Sequence, residues 1–285
     1  MLKSEPHPIK PPPTYRGRLA PSPTGYLHLG HAWTFWTAAR RCVEAQGTLV
    51  LRKEDLDNSR VRPEFATALR EDLRWFGVDW QEGPDCGGPF APYLQSQRLS
   101  FYRDTLQVLH SQGLIYPCTC SRQDVLRSIA APHANEDEPL YPGTCRNHTS
   151  KIGTHINWRF RVPDGQAVEF VDGNLGPQRF VAGIDFGDFI VWRADNLPAY
   201  QLAVVTDDAA MGITEVVRGA DLLRSTARQL LLYRALGLAI PSFYHCVLAT
   251  DEHGVKLSKR NNDLTLRAFR NRGLSPEQLR LQWIL

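Results

Sequence analysis

Apolar and polar positions change period several times along the chain, and each change marks an element. Tyr15 to Leu19 is a short strand candidate, and Pro21-Ser22-Pro23-Thr24-Gly25 after it is turn-rich. From Gly30 to Gln46 the spacing becomes helical and stops at Gly47, a residue suited to the left-handed position that follows a helix. Thr48 to Arg52 is β-branched and apolar, so the order is strand, helix, strand, the opening of a layered α/β fold. Pro63 to Phe76 predicts a second helix, with proline in its first turn and Gly77 past its end, and Ser96 to Gln112 a third, closed by Gly113.

Between Pro117 and Gly153 the periodicity breaks up into Cys, Pro, Gly, Asn and acidic residues, which predicts an insertion with one short helix begun by the capping pair Ser121 and Asp124. Ile156 to Val162 alternates, turns at Pro163-Asp164-Gly165 and resumes at Ala167 to Val171, the pattern of an antiparallel hairpin. Helical spacing returns at Tyr200 to Met211 and Asp221 to Leu236, before a strand-like Tyr244 to Ala249. Two short helical patterns, Leu264 to Arg270 and Pro276 to Trp283, end the chain. No internal repeat is visible.

At 285 residues and 42% hydrophobic, the chain suits one large domain or one domain with an insertion. Its apolar runs fall short of the roughly 18 consecutive residues of a membrane span. The first 14 residues hold five prolines and no apolar core of a signal, which reads as a disordered arm and leaves the cytoplasm as the expected location. A net charge of +3 permits a nucleic-acid partner without demanding one. Six cysteines in that compartment suit thiols or metal ligands better than a disulfide framework.

Candidate chemistry lies in three places. His28-Leu29-Gly30-His31 sits at a strand-to-helix junction, where glycine admits a close ligand, the helix N-terminus presents N–H groups to phosphate, and two imidazoles share one face. Helix capping or packing is the structural alternative. Lys256-Leu257-Ser258-Lys259 lies in a loop entered through Asp251-Glu252-His253-Gly254. Two ammonium groups there suit charge stabilisation at a transferring phosphate, and a solvated basic loop is the plain alternative. Cys118 and Cys120, with Tyr141 and Cys145 downstream in the irregular insertion, suit a zinc ion, which would supply order that a small core does not; phenolate is an unusual zinc ligand, so His148 competes for the fourth position, and three unmetallated thiols are the plain alternative. Cys42, Cys86 and Cys246 read as simple buried residues.

A histidine motif at the first strand–helix turn followed by a Lys-x-Ser-Lys loop resembles the two signatures of class I aminoacyl-tRNA synthetases. The segments Arg18-Leu19-Ala20-Pro21-Ser22-Pro23-Thr24-Gly25, Arg52-Lys53-Glu54-Asp55-Leu56-Asp57, Leu197-Pro198-Ala199-Tyr200-Gln201-Leu202-Ala203 and Arg218-Gly219-Ala220-Asp221-Leu222 are similar to glutamyl-tRNA synthetase catalytic domains, over about Arg16 to Arg260. The resemblance implies a Rossmann-like catalytic domain in two halves, 15–116 and 154–260, split by a zinc-binding insertion at 117–153, with a proline-rich arm at 1–14 and a short helical tail at 261–285. It implies His28, His31, Lys256 and Lys259 as catalytic, and His28, Gly30, His31 and Lys259 as the ATP site, with Mg2+ entering on ATP. The glutamate pocket would be Arg18, Leu19, Ala20, Pro21, Ser22, Glu54, Tyr200 and Arg218, with Arg18 reaching the side-chain carboxylate and Glu54 the α-ammonium. Guanidinium forks suit carboxylates and would be left unpaired by the amide of glutamine. As bland alternatives, Glu54 caps a helix, Arg218 forms a surface ion pair and Tyr200 is core; Asp207 and Asp208 read as helix-end or pairing residues.

The chain continues past Lys259 only to Leu285, whereas glutamyl-tRNA synthetases continue into an anticodon-reading region. That length, with the Tyr-x-x-x-Cys completion of the zinc set, resembles the stand-alone relatives that carry glutamate to the queuosine base of tRNA(Asp), here expected as a monomer. Arg260 departs from the serine usual after the second lysine but leaves both lysines in place. A truncated or paralogous synthetase charging the 3′ end of tRNA(Glu), and a non-catalytic binding module, stay open at this point.

Overall fold

The computed structural model describes residues 14–57, 59–127, 140–147, 156–248 and 264–281. Strand β1 (Arg16–Leu19) leads into helix α1 (Leu29–Glu44), which returns to β2 (Thr48–Leu51), parallel to β1 with Arg16 opposite Thr48 and Leu19 opposite Leu51. The buried Ala32, Ala38 and Ala39 give α1 a small-residue face over the strands. Gly47 serves differently from its expected left-handed role. The positive φ falls on Gln46 (50°), and Gly47 is required because a Cβ there would come within 2.4 Å of the Tyr15 carbonyl oxygen. Helix α2 (Pro63–Trp75) begins on proline and ends at Gly77 (φ 86°). Helix α3 (Leu99–Ser111) ends at Gly113 (φ 68°).

A three-stranded sheet joins β3 (Ile115–Cys118), β4 (Asn157–Phe160) and β7 (Phe189–Trp192) in the order β3-β4-β7. Between β3 and β4, helix α4 (Arg122–Arg127) starts on the expected reciprocal cap, Asp124 accepting from the Ser121 backbone and hydroxyl while Ser121 Oγ accepts from Asp124 N–H. A four-stranded sheet orders β6 (Gly176–Val181), β5 (Ala167–Asp172), β9 (Ser242–Cys246) and β8 (Glu215–Gly219).

The hairpin expected between Ile156–Val162 and Ala167–Val171 does not form. A turn is present, with Gln166 N–H donating to Pro163, but it is a corner between two sheets. Both edges of β4 are taken by β3 and β7, and β5 pairs with the segment that follows it through a tight turn in which Asp172 accepts the Asn174 and Leu175 N–H groups.

Helix α5 (Tyr200–Ala210) packs against β7 and α6 (Leu223–Ala235) against β5, and α7 (Leu266–Asn271) and α8 (Pro276–Leu281) close the described residues. The main core draws on α3, α5, α6 and the larger sheets, and a second core lies around α1, α2, β1 and β2. The first strand abuts β8, Thr214 N–H donating to the Arg16 carbonyl at 2.9 Å. That junction sets the site beside the end of β1. Among the described residues no helix is long and apolar enough to cross a membrane.

Candidate active site

A cavity of about 400 Å³ opens between the start of α1, the end of β8 and the start of α5. Arg18, Ala20, Pro21, Ser22, His28, Gly30, His31, Glu54, Tyr200 and Arg218 all line it, so segments distant in sequence converge as expected. Leu19 does not. Successive strand residues point to opposite faces, so Arg18 turns to the cavity and Leu19, fully buried, into the second core. Lys256, Lys259 and Arg260 lie outside the described residues.

His28 occupies the cap position of α1 without a side-chain capping bond, and its ring stacks on that of His31 at 3.9 Å between centroids. The first turn of α1 carries no acidic residue, which leaves the positive end of the helix uncompensated by its own side chains and suited to phosphate.

Behind the cavity is a buried charge network. Arg52, fully buried, donates to Asp208 at 2.5 Å and to Glu54 at 3.0 Å, with Asp207 at 3.5 Å. Asp208 also faces Arg18 Nε at 3.6 Å, and Asp207 accepts from Arg98, Gln95 and Tyr102. Asp207 and Asp208 lie two helical turns beyond Tyr200, on the face of α5 that points inward. They are pairing residues, one of the two roles expected, and their burial is what the sequence did not reveal. Burial holds the Glu54 carboxyl above the usual carboxylate range, with Arg52 and Arg18 pulling it back. Glu54 caps no helix; its backbone N–H donates to the Pro21 carbonyl and ties the two motif segments together.

Arg218 is only 4% exposed, so it is no surface ion-pair residue. Its Nε lies 3.2 Å from His245 Nε2 and its Nη2 donates to Thr226 at 2.7 Å, while Nη1 is buried with no hydrogen-bond partner. Burial pulls its pKa below the ordinary guanidinium value. Arg18 donates from Nη1 to the Val217 carbonyl, and its buried Nε likewise makes no hydrogen bond. The orphaned Nη1 of Arg218, next to an Arg18 whose Nε comes no nearer than 3.6 Å to Asp208, fits a carboxylate ligand, since such a donor is costly to leave unmade. Tyr200 stays 39% exposed at the cavity wall and is not core.

The sulfurs of Cys118, Cys120 and Cys145 lie within 4.8 Å of one another, and the Tyr141 hydroxyl is 3.4 Å from Cys118 and 3.6 Å from Cys120. Tetrahedral zinc holds sulfur ligands about 3.8 Å apart, so these three sulfurs are spaced to hold one. Burial acts to raise the Cys145 thiol, and hydrogen bonds from Tyr141, the Thr119 backbone and the neighbouring thiols overcome it, bringing it down to about 6. Arg159 donates to Cys118 at 3.2 Å and lies over the Tyr141 ring at 3.8 Å, adding positive charge beside the cluster. His148 lies outside the described residues. Of the other cysteines, Cys42 and Cys246 are buried as expected, but Cys86 is exposed.

Sequence reasoning gave no role to Arg52, and missed Asp172, Thr226 and His245. Thr226 and His245 contact Arg218, and Asp172 contacts His245; the three come from different elements and share no motif, so no linear signal marks them.

Residues 14–283 match the family described as tRNA synthetases class I (E and Q), catalytic domain. The chain is 49% identical over 91% of its length to "Glutamyl-Q tRNA(Asp) synthetase" of Nitratidesulfovibrio vulgaris, covering 82% of that protein. It is 44% identical to "Glutamate--tRNA ligase 2" of Nitrosococcus oceani over 92% of its own length and 57% of the relative's. The crystal structure of a glutamate-tRNA synthetase from Elizabethkingia anophelis superposes with a TM-score of 0.77 at 31% identity, over 88% of this chain and 53% of that one. The chain thus spans about half the length of the glutamate–tRNA ligases it resembles.

Proposed function

The chain belongs to the class I glutamate/glutamine tRNA synthetase catalytic-domain family, and from that premise we propose that it activates L-glutamate with ATP and transfers it to the queuosine base of tRNA(Asp). The observation that carries the glutamate part is the cavity wall, where buried Arg18 and Arg218 lie beside Glu54 and Arg218 Nη1 has no hydrogen-bond partner. A second carboxylate distinguishes glutamate from glutamine, and a neutral amide would leave that donor unpaired. The tRNA part is supported by the greater identity to the glutamyl-Q enzyme, over most of both chains.

The α-carboxylate of glutamate, its ammonium held at Glu54, attacks the α-phosphorus of ATP, forming glutamyl-adenylate and expelling pyrophosphate. His28 and His31, at the uncompensated N-terminus of α1, would meet the phosphates, and Lys256 and Lys259 would neutralise charge on the transferring phosphate, with Mg2+ arriving on ATP. A hydroxyl of the queuosine cyclopentene-diol then attacks the glutamyl carbonyl and AMP leaves, with the hydroxyl proton passing to solvent or phosphate. The base reaches the cavity splayed out of the anticodon loop. Zinc at Cys118, Cys120, Tyr141 and Cys145 is structural in this reading.

Pyrophosphate exchange tests the first step. It is expected with glutamate, in the absence of tRNA, and far more weakly with glutamine. Equal exchange with both amino acids, or strict dependence on tRNA(Glu), would remove the reading.

A further inference from the structure

Arg218 is anchored by a line of buried side chains that leads away from the cavity. Its Nε faces His245 Nε2 at 3.2 Å and its Nη2 donates to the Thr226 hydroxyl. That hydroxyl also lies 3.0 Å from His245 Nε2. On the far side of the imidazole, Nδ1 is 2.6 Å from Asp172 Oδ2. Asp172, Thr226 and His245 are all buried, and four elements meet here: β8 brings Arg218 opposite His245 of β9, β5 ends at Asp172, and α6 supplies Thr226.

Hydrogen-bond chemistry fixes the proton on the ring. A guanidinium has no acceptor, so Arg218 Nε–H donates and His245 Nε2 is the bare nitrogen. The hydrogen is then on Nδ1, donated to Asp172. A proton on both nitrogens would set Nε2–H against Arg218 Nε–H.

We propose that Asp172 and His245 form a tautomer lock for Arg218, keeping Nε2 an acceptor so that the guanidinium is fixed with Nη1 as the donor left for the ligand carboxylate. His245 and Asp172 are then positioning residues that set glutamate affinity without touching it. This rests on the reading of the cavity as a glutamate site.

The geometry supplies an isosteric test. Asp172 Oδ1 accepts three backbone N–H groups, from Asn174 at 3.0 Å, Leu175 at 2.9 Å and His245 at 3.2 Å. In Asp172→Asn the carbonyl oxygen must keep those three bonds, which places the amide NH2 where Oδ2 stood, facing Nδ1. Nδ1 becomes the acceptor, Nε2 takes the hydrogen, and two donors meet at Arg218.

The experiment combines nitrogen NMR of 15N-histidine-labelled full-length protein with glutamate and ATP KM values from pyrophosphate exchange. Wild type should show His245, assigned by its loss in His245→Gln, as the Nδ1–H tautomer, and Asp172→Asn should show Nε2–H. The glutamate KM should rise about tenfold or more, as loss of one well-placed charged hydrogen bond implies, with the ATP KM within about twofold. His245→Gln, whose Oε1 reaches Arg218 as an acceptor, should stay close to wild type, while His245→Asn, too short to reach, should match Asp172→Asn. A tautomer switch that leaves the glutamate KM unchanged would overturn the proposal, as would an Nε2–H tautomer in wild type or equal rises for ATP and glutamate. If Asp172→Asn does not fold, the Gln/Asn pair at His245 decides, equal effects overturning the lock. Should wild type activate no glutamate at all, the functional reading falls, and the tautomer measurement alone decides whether the lock exists.

Discussion

Replacing Arg52 by methionine removes the hub of the buried network with little change in length. Asp207 keeps Arg98, Gln95 and Tyr102, and Asp208 keeps the more distant Arg18, but Glu54 loses the guanidinium 3.0 Å away. At an effective dielectric near 20, a pair at that distance attracts by about 5 kcal/mol before desolvation, and removing one partner of a buried pair typically costs about 3–5 kcal/mol. For a chain of this size that is a fall in Tm of roughly 6–20 °C. The penalty should depend on pH. A carboxyl whose folded pKa lies above its unfolded one contributes stability below the unfolded value and loses it as pH rises through the folded value. Glu54 is already held above its ordinary 4.5 by burial, and without Arg52 it rises further. Urea denaturation of Arg52→Met and wild type should therefore show a larger difference near pH 8 than near pH 5, and adding Glu54→Gln should recover part of it. A difference below about 1 kcal/mol, or one flat across that range, would refute the placement of an uncompensated Glu54 in the buried network.

Purified protein should carry about one zinc per chain by elemental analysis, and Tyr141→Phe should lose it faster to chelator; protein never exposed to chelator and free of zinc would leave the thiols as bystanders. His245 is pushed down to about 4 by burial, then by Arg218, from its ordinary 6.5. The unfolded chain thus binds the extra proton between those values, and stability should fall with falling pH from about 6.5 to 4, by on the order of 3 kcal/mol in full. Chemical denaturation of His245→Gln should lack that component of the slope.

What was legible in the sequence was contiguous. Arg18 to Ser22, His28 to His31 and Glu54 lie in short motifs next to strand and helix boundaries punctuated by Gly and Pro, and the fold brings them to one cavity. Facing direction was not legible in a motif, which is why Leu19 was grouped with Arg18 although the strand sends it to the core. Of the sheet β3-β4-β7 only β4 is legible, in the alternation of Ile156 to Val162; Pro117 masks β3, and the turn at 163–166 reads as a hairpin because local pattern does not say which edges are already paired. Asp172 and His245 stand 73 positions apart, and only the pairing of β5, β8 and β9 makes them neighbours of Arg218.

The central claim is where glutamate goes. Radiolabelled glutamate, ATP and the full chain should be incubated with separately purified tRNA(Asp), with and without queuosine, and tRNA(Glu), and the tRNA then digested at mildly acidic pH with a pyrimidine-specific ribonuclease, which releases a charged 3′-terminal adenosine as the aminoacyl nucleoside and leaves a modified anticodon base within an oligonucleotide. Label is expected on tRNA(Asp) only when it carries queuosine, and in the anticodon oligonucleotide. Label on the terminal adenosine of tRNA(Glu) would contradict this.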